Sequence, residues 1–109
     1  MSSESRYPAS GHVYEVRFGD LAYRLDFNAD GQHMTFSSVG TSQPVAEPTV
    51  TVRYTAVGIR PDVFMVYWTE PDGSTVVHVE DFERETVHTN ITLPNHTFLN
   101  FTGSLKRVS

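Results

Sequence analysis

The stretch that decides the fold reads Val63-Phe64-Met65-Val66-Tyr67-Trp68-Thr69-Glu70-Pro71-Asp72-Gly73. Its first seven residues are β-branched or aromatic apart from one methionine, a composition typical of a strand. Pro71 fixes its own φ and Gly73 accepts a positive φ, so the residues after the strand predict a tight turn. A strand that runs directly into such a turn is half of a β-hairpin.

The rest of the chain repeats this strand-and-turn arrangement. Residues 13–18 and 21–27 alternate apolar and polar side chains around Gly19-Asp20, which predicts a hairpin. Further strands are predicted at 33–37, 49–56, 75–82, 86–92 and 98–107, the last interrupted at Gly103, with the longest loop at 40–48. We therefore predict an all-β fold, a small antiparallel up-and-down barrel of about eight strands, because closure removes exposed sheet edges.

Chain length and composition fit a single domain. A chain of 109 residues can fill one hydrophobic core, and its apolar share of 39% is sufficient for that core. Residues 1–10 are polar and lack periodicity, so they predict a flexible N-terminal arm. Residues 11–109 are assigned to the barrel domain.

The charge and the cysteine content limit which partners and metal sites the chain can have. The net charge of −5 would repel a phosphate backbone, so we expect no nucleic-acid partner. The absence of cysteine excludes disulfides and thiolate metal sites. The N-terminus has no apolar signal-peptide core and no run has membrane-spanning length, so we expect a cytoplasmic protein without membrane contact.

Glu70 is the first candidate for a chemical role. It ends an alternation that places Phe64, Val66 and Trp68 on its own face of the strand. A carboxyl group beside tryptophan in a poorly hydrated interior has a raised pKa, which suits a general acid or base. The alternative is that a glutamate at a strand end lies at the rim in water.

His78 is the second candidate for a catalytic role. An inward His78 would serve as a ligand contact or proton carrier, whereas the alternative is an exposed or merely hydrogen-bonded histidine. His78, Glu80 and His88 on neighbouring predicted strands have a spacing that a metal could use, but the pattern is weak. We expect no metal site and no cofactor.

Aromatic residues on the apolar strand faces are candidate ligand contacts. In a hollow barrel, flat walls with polar tips would come from Tyr14, Tyr23, Tyr54 and Trp68. In a filled barrel the same side chains are core. Arg24 and Arg53 fall on the opposite faces of their strands, so they are expected to point outward.

The order of motifs resembles the MoaF-like family, named for molybdenum cofactor biosynthesis protein F. The resemblance rests on 23–27 (YRLDF), 51–54 (TVRY), 59–68 (IRPDVFMVYW), 76–82 (VVHVEDF) and 87–90 (VHTN). It implies a small lipocalin-like barrel of the calycin type. It implies no particular reaction, because the family name comes from genetic context.

The turn Trp68-Thr69-Glu70-Pro71 is also similar to one in phenolic acid decarboxylases, which are lipocalin-like barrels. In that family the glutamate of this turn is the catalytic acid, so the similarity implies this role for Glu70. This chain has no arginine around Met34-Thr35-Phe36, where the family has one, and it does not match the family's N-terminal tyrosine pair.

Two functions follow as hypotheses. The first is a barrel that binds a small, partly aromatic or apolar molecule, with Glu70 as general acid or base of a cofactor-free lyase or isomerase. The alternative is a filled barrel that acts as a non-catalytic interaction or accessory module. A homodimer is compatible with either, because small barrels can pair through a strand edge or an apolar outer face.

Overall fold

A computed structural model describes residues 7–39 and 49–109, and these residues form eight strands. The expected loop at 40–48 lies outside the described residues. No helix among the described residues has the length and apolar character of a membrane span. The strands are β1 (Val13–Phe18), β2 (Leu21–Phe27), β3 (His33–Ser38), β4 (Val50–Arg60), β5 (Val63–Thr69), β6 (Thr75–Asp81), β7 (Thr86–Thr92) and β8 (Phe98–Arg107).

The eight strands close into an up-and-down barrel, which confirms the predicted fold class. Each strand pairs antiparallel with the next, and β8 returns to pair with β1. The register aligns inward side chains from strand to strand: Val16 of β1 lies opposite both Tyr23 of β2 and Leu105 of β8. Inward and outward side chains therefore alternate around the whole circumference.

Two strands are longer or more continuous than the sequence pattern predicts. β4 does not end before Gly58 but continues to Arg60, with Gly58 opposite Phe64 and a register shift between Gly58 and Arg60. A bulge of this kind absorbs an irregular residue without ending the strand. β8 likewise runs unbroken through Gly103, which lies opposite Val87.

Gly103 marks a close approach between strands rather than a break. A Cβ atom added there would lie 1.8 Å from the carbonyl oxygen of Arg17 on β1. Only a residue without a side chain therefore permits this approach of β8 and β1, the pair of strands that closes the barrel.

Residues 7–10 belong to the folded barrel, contrary to the expected arm at 1–10. Tyr7 is 9% exposed and Ala9 is fully buried, and the amide of Gly11 donates to the carbonyl of Phe27. The predicted arm is therefore wrong for these four residues, and residues 1–6 lie outside the described part of the chain. The short N-terminal segment covers one end of the barrel.

The interior differs between the two ends of the barrel. At the covered end the ring of Tyr7 packs, with centroid distances of 5.3 to 5.7 Å, against four other rings: Phe27, Tyr54, Phe64 and Phe82. Edge-to-face contacts dominate there, which is the favourable geometry for close-packed aromatic side chains. The other end is lined by side chains but not filled by them.

Candidate ligand-binding site

The unfilled end of the barrel contains a cavity of about 250 Å³. One of its lining residues, Leu21, is 45% exposed. Its polar lining comes from Tyr23, Glu70, His78 and Thr89. The remaining lining is apolar and comes from every strand except β4; it includes Val16, Phe18, Leu25, Phe36, Trp68, Val76, Ile91, Leu99 and Phe101.

Glu70 reaches the cavity from the turn that follows β5. The turn is fixed by two backbone hydrogen bonds, one from the amide of Glu70 to the carbonyl of Ser74 and one from the amide of Gly73 to the carbonyl of Glu70. Gly73 has a φ of 97°, a conformation that glycine adopts without strain. The sequence Pro71-Asp72-Gly73 thus sets the direction in which the Glu70 side chain leaves the strand.

The Glu70 carboxyl group lies in a mixed environment. The indole Nε1–H of Trp68 donates to its Oε2 over 3.2 Å. Burial raises the pKa of Glu70 above its ordinary value, an effect strengthened by the charge of Asp72 and opposed by the Trp68 hydrogen bond and by His78. The group is therefore suited to exchange a proton with a molecule in the cavity.

His78 lies deeper in the barrel, on the inner face of β6. It is 4% exposed, and its ring lies 4.9 Å from that of Trp68 in an edge-to-face arrangement. Its Nδ1 is 2.9 Å from Oε2 of Glu80. Trp68 thus contacts both candidate acid–base residues, one through its N–H group and the other through its ring.

Glu80 and Tyr7 complete this buried polar cluster. In the sequence, Glu80 was considered only as part of a weak metal-binding pattern with His78 and His88, and Tyr7 was assigned no role. Glu80 is fully buried on β6 and accepts a hydrogen bond of 2.6 Å from the hydroxyl of Tyr7. Its position two residues after His78 on the same strand face was a usable signal for the pair. Tyr7 carried no such signal, because its segment has no strand pattern.

The four aromatic residues predicted as ligand contacts separate into two pairs. Tyr23 and Trp68 line the cavity. Tyr14 and Tyr54 do not line it, since Tyr14 packs against Phe82 and Tyr54 against the Tyr7 ring at the covered end. The four therefore do not form one site.

The remaining candidates lie on the outside of the barrel. Arg24 is exposed and lies 3.6 Å from Glu15, and Arg53 is exposed and donates to Gln32, so both point outward as expected. His88 is also exposed and is hydrogen-bonded to Thr102. It therefore does not share a face with the inward His78, and no group of three potential metal ligands occurs within residues 7–39 and 49–109.

The raised pKa of Glu70 predicts how stability depends on pH. Because the folded state holds this proton more strongly than the unfolded chain, ionisation of Glu70 opposes folding, and stability is lost as the pH rises through the raised pKa. Glu70→Gln keeps an acceptor for Trp68 and removes the ionisation. We expect the stability of the variant relative to the native protein to increase as the pH rises above the ordinary pKa of glutamate, about 4.3, measured as the free energy of unfolding in urea.

Asp72 provides the matched control in the same turn. The backbone amide of Ser74 donates to Asp72 and lowers its pKa, so its contribution to stability is present at neutral pH and is lost as the pH falls. Asp72→Asn should therefore lose stability relative to the native protein as the pH rises, the opposite trend. If the free energies of unfolding of native protein and Glu70→Gln changed in parallel with pH, the raised pKa of Glu70 would be contradicted.

The fold and the cavity together define a class: a small closed β-barrel whose interior is filled at one end and hollow at the other. The chain belongs to the MoaF-like family, whose model matches residues 10–106, and this confirms the resemblance seen in the sequence. A crystal structure from Burkholderia vietnamiensis, described as "a putative beta-lactamase", is 34% identical and has a TM-score of 0.85. The match covers 96% of this chain and 100% of that chain. No curated protein matches this sequence.

Proposed function

We propose that this protein binds a small, partly aromatic or apolar molecule inside its barrel. We further propose that Glu70 acts on this molecule as the general acid or base of a cofactor-free lyase or isomerase. The observation that supports both proposals is the position of Glu70, whose partly buried carboxyl group adjoins the apolar cavity.

The size and lining of the cavity favour a compact ligand. Its volume of about 250 Å³ lies just below the range of about 300 to 1,000 Å³ of ordinary ligand sites, which suits a molecule of one or two rings. An apolar cavity of about 150 Å³ is already large enough to hold benzene. The few polar groups among apolar walls are typical of sites in which apolar contacts supply affinity and polar contacts supply orientation.

The alternative function, a filled barrel that serves only as an interaction module, has less support. A filled barrel would bring its inward side chains into contact at both ends, as they are around Tyr7. The end that contains Glu70 instead keeps a cavity. Well-packed interiors have few voids larger than a water molecule, so a space of this size favours an occupant.

Hydrolysis of a β-lactam, the activity in the description of the Burkholderia protein, is not part of this proposal. A serine β-lactamase needs a serine activated by a nearby base. Among residues 7–39 and 49–109, those that line the cavity include Thr89 but no serine. The chain's one lysine, Lys106, has a side chain that is 64% exposed.

Binding is testable through Trp68, the only tryptophan of the chain. Its indole N–H gives a single resonance in a ¹H–¹⁵N correlation spectrum, and the Trp68 side chain lines the cavity. We expect p-xylene, a neutral one-ring probe, to shift this resonance saturably. Ile91→Phe, which fills part of the cavity, should weaken the binding at least about tenfold, because a lost ring-sized space removes most of the apolar contact.

Val79→Phe is the matched control for Ile91→Phe. Val79 lies on the outer face of β6 and is 36% exposed, so the same bulk is added away from the cavity. Binding of p-xylene should stay within about twofold of the native value. No shift of the Trp68 resonance at saturating p-xylene, or equal loss in both variants, would contradict the proposed site.

Catalysis is tested separately with native protein and Glu70→Gln. Both are screened against hydroxycinnamates and related one-ring acids. Turnover in the native protein that is lost in Glu70→Gln, with binding retained, would support a proton-transfer role for Glu70. Binding of these compounds without turnover in either protein would limit the function to that of a carrier or sensor.

A further inference from the structure

A hydrogen-bonded chain of three side chains lies beside the cavity. The hydroxyl of Tyr7 donates to Oε1 of Glu80 over 2.6 Å, and Oε2 of Glu80 lies 2.9 Å from Nδ1 of His78. All three side chains are buried, with exposures of 9%, 0% and 4%. Only His78 of the three lines the cavity.

Stability alone does not account for such a chain. Removing an ionisable pair from water has a large desolvation cost, and apolar residues of similar volume are often as good or better for stability. The two residues paired with Glu80 across the sheet, Phe64 and Val87, are both apolar. Because stability does not explain a buried carboxylate with two donors, the arrangement indicates that Glu80 orients His78 for a function.

The contact with Glu80 bears on which nitrogen of His78 carries the proton. With Oε2 of Glu80 as the acceptor, Nδ1 of His78 would carry a proton and donate to it. In the neutral ring, Nε2 then presents a lone pair, and it makes no hydrogen bond with the described residues. Burial and the charge of Glu80 raise the pKa of Tyr7 well above its ordinary value, so Tyr7 remains a donor.

A second polar side chain that lines the cavity has no hydrogen-bond partner among the described residues. Thr89 is 1% exposed, and within residues 7–39 and 49–109 its buried Oγ1 makes no hydrogen bond. It lies directly opposite His78 in the pairing of β6 with β7. Directly paired side chains on one sheet face have Cβ atoms about 4.5 to 5.5 Å apart, so the two polar groups adjoin the same part of the cavity.

We propose that the ligand carries a hydroxyl group that donates to Nε2 of His78 and accepts from Oγ1 of Thr89. The ligand is thus an alcohol or a phenol. Tyr7 and Glu80 act as positioning residues, because they hold the ring with its lone pair toward this hydroxyl. This inference rests on the proposed binding function and assigns the polar end of the ligand.

The same arrangement allows a proton to leave the ligand. The O–H bond of the ligand breaks, its proton forms a bond to Nε2, and the electron pair remains on the ligand oxygen. The imidazolium is then stabilised by the Glu80 carboxylate at Nδ1, and the oxyanion by the hydroxyl of Thr89. Neither an oxidant nor a co-reactant is needed.

The ligand class is tested with p-cresol and p-xylene, which differ by a hydroxyl in place of a methyl group. Each is titrated against native protein and Thr89→Val, with the Trp68 indole resonance as readout. We expect Thr89→Val to weaken the binding of p-cresol about tenfold, which is the contribution of one good hydrogen bond. The binding of p-xylene should stay within about twofold of the native value. An equal effect on both compounds, or no effect on p-cresol, would overturn the inference.

The positioning role is tested by the tautomer of His78, observed by long-range ¹H–¹⁵N correlation of the imidazole ring. We expect a proton on Nδ1 in the native protein. Tyr7→Phe keeps the packing of the ring. It should reduce the preference for the proton on Nδ1 and weaken the binding of p-cresol severalfold, while the binding of p-xylene stays unchanged. A neutral native ring protonated on Nε2, or an unchanged tautomer and p-cresol affinity in Tyr7→Phe, would overturn the assigned roles.

The probes separate this inference from the function on which it rests. If p-xylene binds and p-cresol shows no dependence on Thr89 or Tyr7, the binding site stands and the hydroxyl assignment fails. If neither compound shifts the Trp68 resonance, the proposed function fails and this inference fails with it.

Discussion

Gly103→Ala is expected to destabilise the barrel by more than about 3 kcal/mol, because the new methyl group has no space on the closing strand pair. Its Cβ would lie 1.8 Å from the carbonyl oxygen and 2.8 Å from the carbonyl carbon of Arg17, which are backbone atoms that no rotamer change can move. The clash therefore separates β8 from β1, where the barrel closes. The measurement is the free energy of unfolding from a urea titration.

Gly58→Ala is the matched control. Gly58 is also a strand glycine, but a Cβ there would meet only the Phe64 ring at 3.5 Å, an ordinary contact. This variant should change stability by less than about 1 kcal/mol. A loss in Gly103→Ala no larger than that in Gly58→Ala would show that β1 and β8 do not approach as closely as described.

Glu80→Leu is the second variant with a large expected effect, a loss of about 3 to 5 kcal/mol. The substitution leaves the Tyr7 hydroxyl and Nδ1 of His78 buried without an acceptor. Each unpaired buried donor carries the full cost of its desolvation. The loss is measured by urea unfolding at neutral pH.

The triple variant Tyr7→Phe/His78→Leu/Glu80→Leu separates the lost hydrogen bonds from any change of packing. It removes both donors together with the acceptor, so none of these three positions keeps an unpaired polar side chain. We expect it to regain most of the stability lost in Glu80→Leu, because apolar replacements of a buried polar cluster are often neutral. A triple variant as unstable as Glu80→Leu would attribute the loss to packing instead.

The barrel itself was predictable from local pattern. Alternation along β1, β2 and β5, with turn residues at Gly19-Asp20 and Pro71-Asp72-Gly73, determines strands and hairpins without long-range information. Once each strand pairs with the next one in the sequence, closing the sheet pairs the free backbone groups of the two remaining edge strands. The fold class followed from these local signals.

The wrong predictions concern features that depend on distant contacts. Gly103 looks like a strand breaker in the sequence, and only its approach to Arg17 shows why a glycine is needed within β8. Tyr7 lies in a polar segment, and its burial depends on rings from β2, β4 and β5 and on Phe82. Neither relation has a signal in the neighbouring residues.

The candidate site was predictable in part for a related reason. A period of two placed Glu70 on the same strand face as Trp68, but it left open whether Glu70 lies at the rim in water and whether His78 points inward. It does not specify how far along the barrel axis each one lies. Tyr14 and Tyr54 are inward too, yet they pack at the covered end, away from the cavity.

The most direct test of the binding function is a map of intermolecular NOEs from p-xylene to the isotope-labelled protein. We expect NOEs to side chains that line the cavity, among them Leu25, Trp68 and Ile91. NOEs confined to exposed apolar side chains of the outer surface, such as Ile59, Tyr67 and Val79, would contradict this binding function.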